Sequence, residues 1–501
     1  MIENLSSDNA QQKLSFLLQG LVNIQKDNDV LITGIHQNSN AIKKGDLFIA
    51  IPGIHTHGLK YADQAVSQGA AAIAWEPTEE ISDDPSFKIP CIKVTGLRKQ
   101  TGFIASRFYS NPSECLQVVG ITGTDGKTSV AGFVAQILDN LDRKCGLIGT
   151  LGYGHLSALE KSAHTTPEAN IIQNVLYNMV QSGDMFAVLE ASSHGLSQHR
   201  LNGVSFDIAV LTNIGNDHSD YHQSKEDYVK AKQKLFEISS LKTAILNIDD
   251  LFGQHLSKRL SNSDIEVHTC STSSKVADVF SKNIQYTREG LEFDVVTPWG
   301  SSTVKSPLFG EFNIQNLLLS IATLCSLKVD YASVIKVFPL LMPVRGRMNK
   351  LTSEKQVTIF VDYAHTPQAL ENVLRSIKQH FRSPICCVFG CGGDRDAKKR
   401  PLMAKVAEQY AQRIIVTDDN TRTENPKGIV NDIIAGFTNP QEVSVVHDRA
   451  TAIRQAISTA TASEVVLVAG KGHEEEQIVG EEKHPFDDMK FIQDVLQEVG
   501  Q

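Results

Sequence analysis

Leu116-Gln117-Val118-Val119-Gly120-Ile121-Thr122-Gly123-Thr124-Asp125-Gly126-Lys127-Thr128 joins an apolar run, a glycine turn and the start of a helical pattern. Leu116 to Thr122 reads as a strand, Gly123 to Lys127 as the turn, and Thr128 to Leu141 carries apolar residues at helical spacing. A strand that enters a helix through glycines aims backbone N–H groups and the positive helix end at one spot, which suits phosphate oxygens. Gly123, Thr124, Asp125, Gly126, Lys127 and Thr128 are therefore a candidate phosphate loop, with Lys127 reaching the terminal phosphates and the Thr128 hydroxyl ligating magnesium. The strict pattern G-x-x-x-x-G-K-[ST] needs glycine at 121; this chain has Ile121, so the loop is a variant.

Working outward, apolar runs at Met185 to Leu189, Ile208 to Ile214 and Thr243 to Ile248 alternate with helix-like segments, the pattern of a parallel sheet with crossover helices. The stretch from Val267 to Lys305 alternates in places and predicts an antiparallel addition. Upstream, short strands (Leu47 to Ile51, Ala71 to Trp75) and a helix over Lys60 to Gly69 make a small α/β unit, closed by the turn cluster Asn111-Pro112-Ser113. Downstream, strands at Val357 to Val361, Ile385 to Phe389, Arg413 to Thr417, Glu442 to Val446 and Glu464 to Val468 form a third series. The expected fold is α/β in three domains: a small one over 1–110, a central P-loop ATPase-like one with a parallel sheet over 111–343, and a Rossmann-like one over 344–501.

Composition agrees with an enzyme-sized globular chain. Of 501 residues, 41% are hydrophobic and 21% charged, which excludes a disordered or fibrous protein. A net charge of −9 offers no general attraction to nucleic acid, and none is expected as a partner. The eight scattered cysteines read as reduced thiols. Neither a signal peptide nor a membrane-length apolar run is recognisable, so a cytoplasmic protein without membrane insertion is expected.

Glu190 ends the run Phe186 to Leu189, which places a carboxylate where a nucleotide's magnesium would sit. Asn216-Asp217-His218 ends the next. His218 and His222 have a spacing compatible with zinc, but nothing completes a tetrahedral set, and one imidazole on a second magnesium is the expectation. Lys230, Lys232 and Lys234 on the following helix read, from spacing alone, as surface charge. In the third series the clusters Asp362 to His365, Gly390 to Asp396, Asp418 to Arg422 and Gly470 to Glu474 all follow strands directly, where such sheets hold ligands.

Gly123 to Thr128, Glu190-Ala-Ser-Ser-His-Gly-Leu196, Asn216-Asp-His218, Ala231-Lys-Gln-Lys-Leu-Phe236, Gly310 to Asn316, Gly346-Arg347-Met348, Asp362 to Pro367 and Gly390 to Asp396 together resemble the Mur ligases. These are ATP-dependent amide-bond-forming enzymes of peptidoglycan synthesis, and the resemblance spans nearly the whole chain. Thr165-Thr166-Pro167, Ser192 to Gly195, Asp419 to Arg422 and Gly470 to Glu474 look most like the member that adds the third residue of the peptide. The resemblance implies ATP and Mg2+, a UDP-binding role for the first domain, UDP-N-acetylmuramoyl-dipeptide and meso-diaminopimelate as substrates, and a monomer. It implies UDP-substrate contacts from Ser39, Thr165, Thr166, Ser192, Gln198 and Arg200, and ATP contacts from Asn313, Arg347, Asp362 and His365. Arg395, Asp419, Asn420, Arg422, Gly470 and Glu474 would hold the amino acid. Lys232 aligns with the family's carbamylated lysine; the added carboxylate would hold magnesium together with His218.

The chain departs from the family in two places. D-S-R of the first domain reads Asn38-Ser39-Asn40, and the family's aspartate in G-x-x-x-D-G is His57. In the segment D-N-P-R of the diaminopimelate-adding enzymes, Thr421 replaces the proline while Arg422 remains, and a guanidinium there suits a side chain ending in a carboxylate. Other readings are the same ligase using L-lysine, a folylpolyglutamate synthase-like ligase, and a nucleotide switch without ligase chemistry.

Overall fold

The computed structural model describes residues 11–53, 56–83, 85–215, 221–353 and 357–499. The described residues fall into two compact units, one drawn from 1–214, 226–246 and 255–267, the other from 215–225, 247–254 and 268–501. Mixed α/β architecture with parallel sheets, the expected class, holds in both.

The first unit begins with a four-stranded parallel sheet in the order Ile35–His36, Leu47–Ala50, Ala72–Trp75, Cys91–Lys93. Its central strands are apolar at every position because both faces are covered. Leu47 and Ile49 pack on Leu97 and Ile104 of helix Leu97–Phe108, while Phe48 and Ala50 pack toward Ala62 and Ala65 of helix Ala62–Ser67.

Five parallel strands follow in the order Cys145–Gly149, Phe186–Glu190, Gln117–Thr122, Ile208–Leu211, Thr243–Asn247. Glu190 pairs with Ile121 and Leu211 with Thr122, so three strand ends meet the mouth of the glycine loop in one register. Ile121 is a fully buried ladder residue, which explains why a glycine is dispensable there: the turn starts at Gly123. Strand Cys145–Gly149 escaped the sequence pattern because its glycines serve close packing. A Cβ on Gly146 would overlap the Met179 side chain, and one on Gly149 would lie 2.3 Å from Glu190 Oε1.

In the second unit, Val279–Thr287, Gly290–Thr297 and Gly300–Ser306 form the expected antiparallel addition. A six-stranded sheet follows, in the order Asn349–Thr352, Thr358–Asp362, Val465–Ala469, Ile385–Phe389, Arg413–Val416, Ser444–Val445, parallel except for its first pair. Helices Pro367–Phe381, Lys399–Tyr410 and Pro426–Ile434 cover one face and Arg449–Ser458 with Asp488–Val499 the other. The strand expected over Glu442 to Val446 shrinks to two exposed edge residues, because Pro440–Glu442 forms a 3-10 turn.

Beneath the carboxyl edge of this sheet, Arg449 is bonded through Nε and Nη2 to Asp488 at 2.8 and 2.7 Å, with both side chains wholly buried. Removing one member leaves a buried uncompensated charge. Arg449→Met is expected to cost about 3–5 kcal/mol, measured as a lowered urea midpoint for the second unit.

Candidate active site

In the first unit the glycine loop is tied down from three sides. Thr124 N–H donates to the Asn213 carbonyl at 2.8 Å and Asp125 N–H to Asn213 Oδ1 at 3.0 Å, while the Thr212 hydroxyl donates to the Asp125 carbonyl at 2.5 Å. Gly123, at φ +147°, passes so close to Thr212 that a Cβ would sit 1.8 Å from its hydroxyl. Lys127 Nζ lies over the loop, donating to the carbonyls of Gly123 and Thr124 at 2.9 Å each. Thr128 Oγ1 donates to Glu190 Oε2 at 2.9 Å; that carboxylate also accepts from the Thr150 hydroxyl at 3.1 Å and the Thr150 N–H at 2.8 Å. The Thr165 hydroxyl is 3.1 Å from that of Thr150. A carboxylate bonded by two hydroxyls, with a third beyond them, is a hard-oxygen set that fits magnesium at the end of a phosphate loop.

Lys232 departs from the surface reading. It is 1% exposed and donates to the Gly123 carbonyl at 2.6 Å, with its ammonium 4.5 Å from the Tyr228 ring centre. Its helical neighbours Lys230 and Lys234 are exposed as expected. Spacing missed this because Tyr228, Ala231 and Lys232 share the inward face of the helix Lys225–Gln233. His218 lies outside the described residues.

Thr166, Ser192, Gln198 and Arg200 are brought together with Glu190. The Thr166 hydroxyl donates to the Glu190 carbonyl at 2.7 Å and contacts Ser192 Oγ at 2.9 Å; Arg200 donates to the Thr166 carbonyl at 2.7 Å and to Gln198 Oε1 at 3.1 Å. Ser39, in the small sheet's neighbourhood, donates to Gln64 Oε1 at 2.9 Å, and Gln64 Nε2 donates to Asn40 at 2.7 Å. His57 does what an aspartate would do at a helix cap. Its Nδ1 accepts from Leu59 N–H at 3.0 Å, which makes Nε2 the donor to the Glu76 carbonyl at 2.8 Å.

In the second unit Arg347, Asp362 and His365 gather round Tyr363. The Asp362 carboxylate accepts from the N–H groups of Met348 and Ala364 at 2.8 Å each, and the Tyr363 ring is 5.0 Å from the Arg347 guanidinium and 4.5 Å from the His365 ring. Asn313 is instead turned onto its own helix, donating to the Phe309 carbonyl at 2.8 Å.

A second cluster forms from the loops after Arg413–Val416 and Val465–Ala469. Asn420 Nδ2 donates to Glu474 Oε2 at 2.7 Å, and Asp419 lies under Gly470, where a Cβ would be 2.7 Å from its Oδ2. Arg422, at φ +49°, donates through Nη1 to the Gly393 carbonyl at 2.8 Å, and the hairpin Glu476–Val479 with Glu482–Pro485 pairs with its main chain. Arg395 is exposed and bonded to the Asp394 carbonyl. Burial alone would raise the Asp419 carboxyl, but the charges of Arg449 and Lys471 and the Asn420 N–H hold it below the usual carboxylate range. Lys471, Thr150, Tyr228 and Tyr363 are members of these clusters that the sequence reading passed over. For Lys471 the available signal was a lysine between two glycines after a strand.

Models for Mur ligase domains match three successive segments: the family's catalytic domain at residues 31–109, its middle domain at 121–324, and its glutamate ligase domain at 346–472. The chain belongs to the Mur ligase family. It is 44% identical over 473 residues to the UDP-N-acetylmuramoyl-L-alanyl-D-glutamate--2,6-diaminopimelate ligase of Coxiella burnetii, covering 93% of this chain and 96% of that one. Against the enzyme of the same name from Pseudomonas aeruginosa the identity is 42%, covering 94% and 96%. A solved structure of a ligase of that name superposes with TM-score 0.71 at 32% identity, over 98% of this chain and 100% of that one. Mycobacterium tuberculosis folylpolyglutamate synthase shares the fold at TM-score 0.61 and 17% identity, over 74% of this chain and 92% of that one.

His473 stands 4.7 Å from the Tyr363 ring, and burial together with the Arg347 and Arg345 charges pushes its imidazole down to about 4. The unfolded chain binds this proton near pH 6.5 and the folded one does not, so stability is full above 6.5 and falls as pH drops toward 4. His473→Gln is expected to remove about 3 kcal/mol at most of that loss, read from urea midpoints at pH 7.5 and 4.5.

Proposed function

We propose that this chain is an ATP-dependent ligase that joins meso-diaminopimelate to the free carboxylate of the D-glutamate in UDP-N-acetylmuramoyl-L-alanyl-D-glutamate, with domains over 1–110, 111–343 and 344–501. The observation that carries the nucleotide half is the Thr128–Glu190 contact of 2.9 Å at the end of the glycine loop. The names of the relatives at 42–44% identity support the substrates.

Joining a carboxylate to an amine is blocked by a poor leaving group, so the carboxylate first takes the γ-phosphoryl group of ATP, releasing ADP. The amine then attacks the acyl carbon, the C–N bond forms and phosphate departs. A carboxylate about 4 Å from a phosphate of charge near −2 feels roughly 8 kcal/mol of repulsion at an effective dielectric near 20. Lys127 moves from the loop carbonyls to the phosphates, and the loop N–H groups orient them. Magnesium, when bound, neutralises phosphate charge; Thr128 and Glu190 would hold one ion, and His218 with a carbamylated Lys232 a second. Thr165, Thr166, Ser192, Gln198 and Arg200 hold the UDP-sugar peptide, with Ser39 near the nucleotide end. Asn313, Arg347, Asp362 and His365 serve ATP, and Arg395, Asp419, Asn420, Gly470 and Glu474 the amino acid.

Arg422 selects diaminopimelate. Among the described residues only Nη1 of its guanidinium is bonded, leaving Nε and Nη2 for the distal carboxylate, which L-lysine lacks. A nucleotide switch has no use for such a pocket. Phosphate release and tripeptide product, assayed with meso-diaminopimelate, L-lysine or no amino acid, should appear with diaminopimelate alone. Arg422→Ala should raise KM for diaminopimelate about 10- to 100-fold with little change in kcat. Equal use of lysine by the unsubstituted chain would overturn the selectivity, and phosphate release indifferent to any amino acid would favour the switch.

A further inference from the structure

Gly470 and Gly472 flank Lys471 with φ of +119° and +53°, the first pressed on Asp419 and the second on Tyr363 and the Gly346 carbonyl. These bends turn the lysine into the protein, where it is wholly buried. Its ammonium has three donors and uses all of them: Asn420 Oδ1 at 3.2 Å, Glu474 Oε2 at 3.0 Å and the Glu476 carbonyl at 2.6 Å. Asn420 closes the ring. Its Oδ1 also accepts from Ile478 N–H at 3.0 Å and its Nδ2 donates to Glu474 Oε2, so the amide has a single orientation that satisfies both ends.

One oxygen of Glu474 therefore receives two donors while the other, Oε1, has no hydrogen bond among the described residues, on a side chain 30% exposed. The charge count makes Lys471 hard to replace. Arg449 is the other buried cation of this cluster, and its guanidinium is bonded to Asp488. Without the ammonium, Glu474 keeps one neutral donor and beside it the negative Asp419.

The geometry points to Lys471 as a positioning residue for the amino-acid substrate: it pins one oxygen of Glu474 and orients Asn420, so that the second oxygen is presented to the substrate's ammonium group. The inference rests on the reading of this cluster as the amino-acid site. Lys471 does not itself touch the substrate; it acts through Glu474.

The test uses the full chain and steady-state kinetics with meso-diaminopimelate. Besides Lys471, the charged groups about Glu474 are Asp419 on the loop after Arg413–Val416, Arg449 and Asp488 on the two helices behind the sheet, and His365, Arg347, Arg345 and His473 around Tyr363. All are retained in the variants. In Lys471→Met, KM for diaminopimelate should rise about 10- to 100-fold with kcat changed much less. Lys471→Gln keeps a neutral donor and carries the same test if the methionine variant does not fold: a smaller rise in KM, again with kcat changed much less. In an amino-acid site already altered by Glu474→Gln, adding Lys471→Met should change KM less than twofold, since the lysine has lost the group it acts through. A KM that stays in place, or effects of the two substitutions that multiply independently, overturns the inference. Absence of diaminopimelate-dependent product from the unsubstituted chain would instead overturn the ligase reading and this inference with it, whereas normal turnover with silent Lys471 variants removes only the inference.

Discussion

The carbonyl of Gly123 is the point on which the first unit turns. It accepts from Lys127 at 2.9 Å and from Lys232 at 2.6 Å, two cations drawn from opposite ends of the sequence that builds the central sheet. A peptide oxygen holds two ammonium groups this close only when its own plane is fixed, and the bonds from Asn213 and Thr212 to the neighbouring peptides fix it. The strand register supplies the rest, since pairing of Glu190 with Ile121 brings the carboxylate to the loop's mouth, 2.9 Å from the Thr128 hydroxyl. Positions far apart in the chain thus reach one spot through main-chain geometry, and the side chains refine it.

Glycine does the corresponding work by omission. At Gly123, Gly149 and Gly470 the missing Cβ is the space taken by a functional oxygen: the Thr212 hydroxyl, Glu190 Oε1 and Asp419 Oδ2. Alanine at any of these would push against a side-chain oxygen of the candidate sites. This differs from the glycines of open turns such as Gly480, which face no neighbour within 4 Å.

The sheets and the phosphate loop were legible in the sequence because both follow from local pattern. Buried parallel strands are continuous apolar runs, and a glycine turn between strand and helix has few other uses. Strand Cys145–Gly149 was not legible: two of its five residues are glycines that answer to Met179 and Glu190, partners remote in sequence. By spacing alone the same holds for Lys232 and Lys471, although the family resemblance singles out Lys232. Each is an ordinary lysine by its neighbours and a buried one by tertiary contacts that no periodicity encodes. The chemistry of Asp419 to Arg422 was visible as residue types, but the ring that joins Asn420, Glu474 and Lys471 exists only once two loops from different strands meet.

The loop that carries Arg422 is held by its backbone. Arg422 N–H donates to the Ile478 carbonyl at 3.1 Å and its own carbonyl accepts from Gly480 N–H at 2.7 Å, so the hairpin grips main-chain groups that every amino acid except proline possesses. The side chain at 422 keeps one short bond to the scaffold, from Nη1 to the Gly393 carbonyl at 2.8 Å, and the left-handed φ of +49° narrows what can stand there, favouring glycine, asparagine and unbranched residues over β-branched ones. A substitution there would take away one side-chain bond and leave the hairpin's grip on the main chain, so the selectivity proposed for this position is one that a lineage could alter without first surviving a loss of fold.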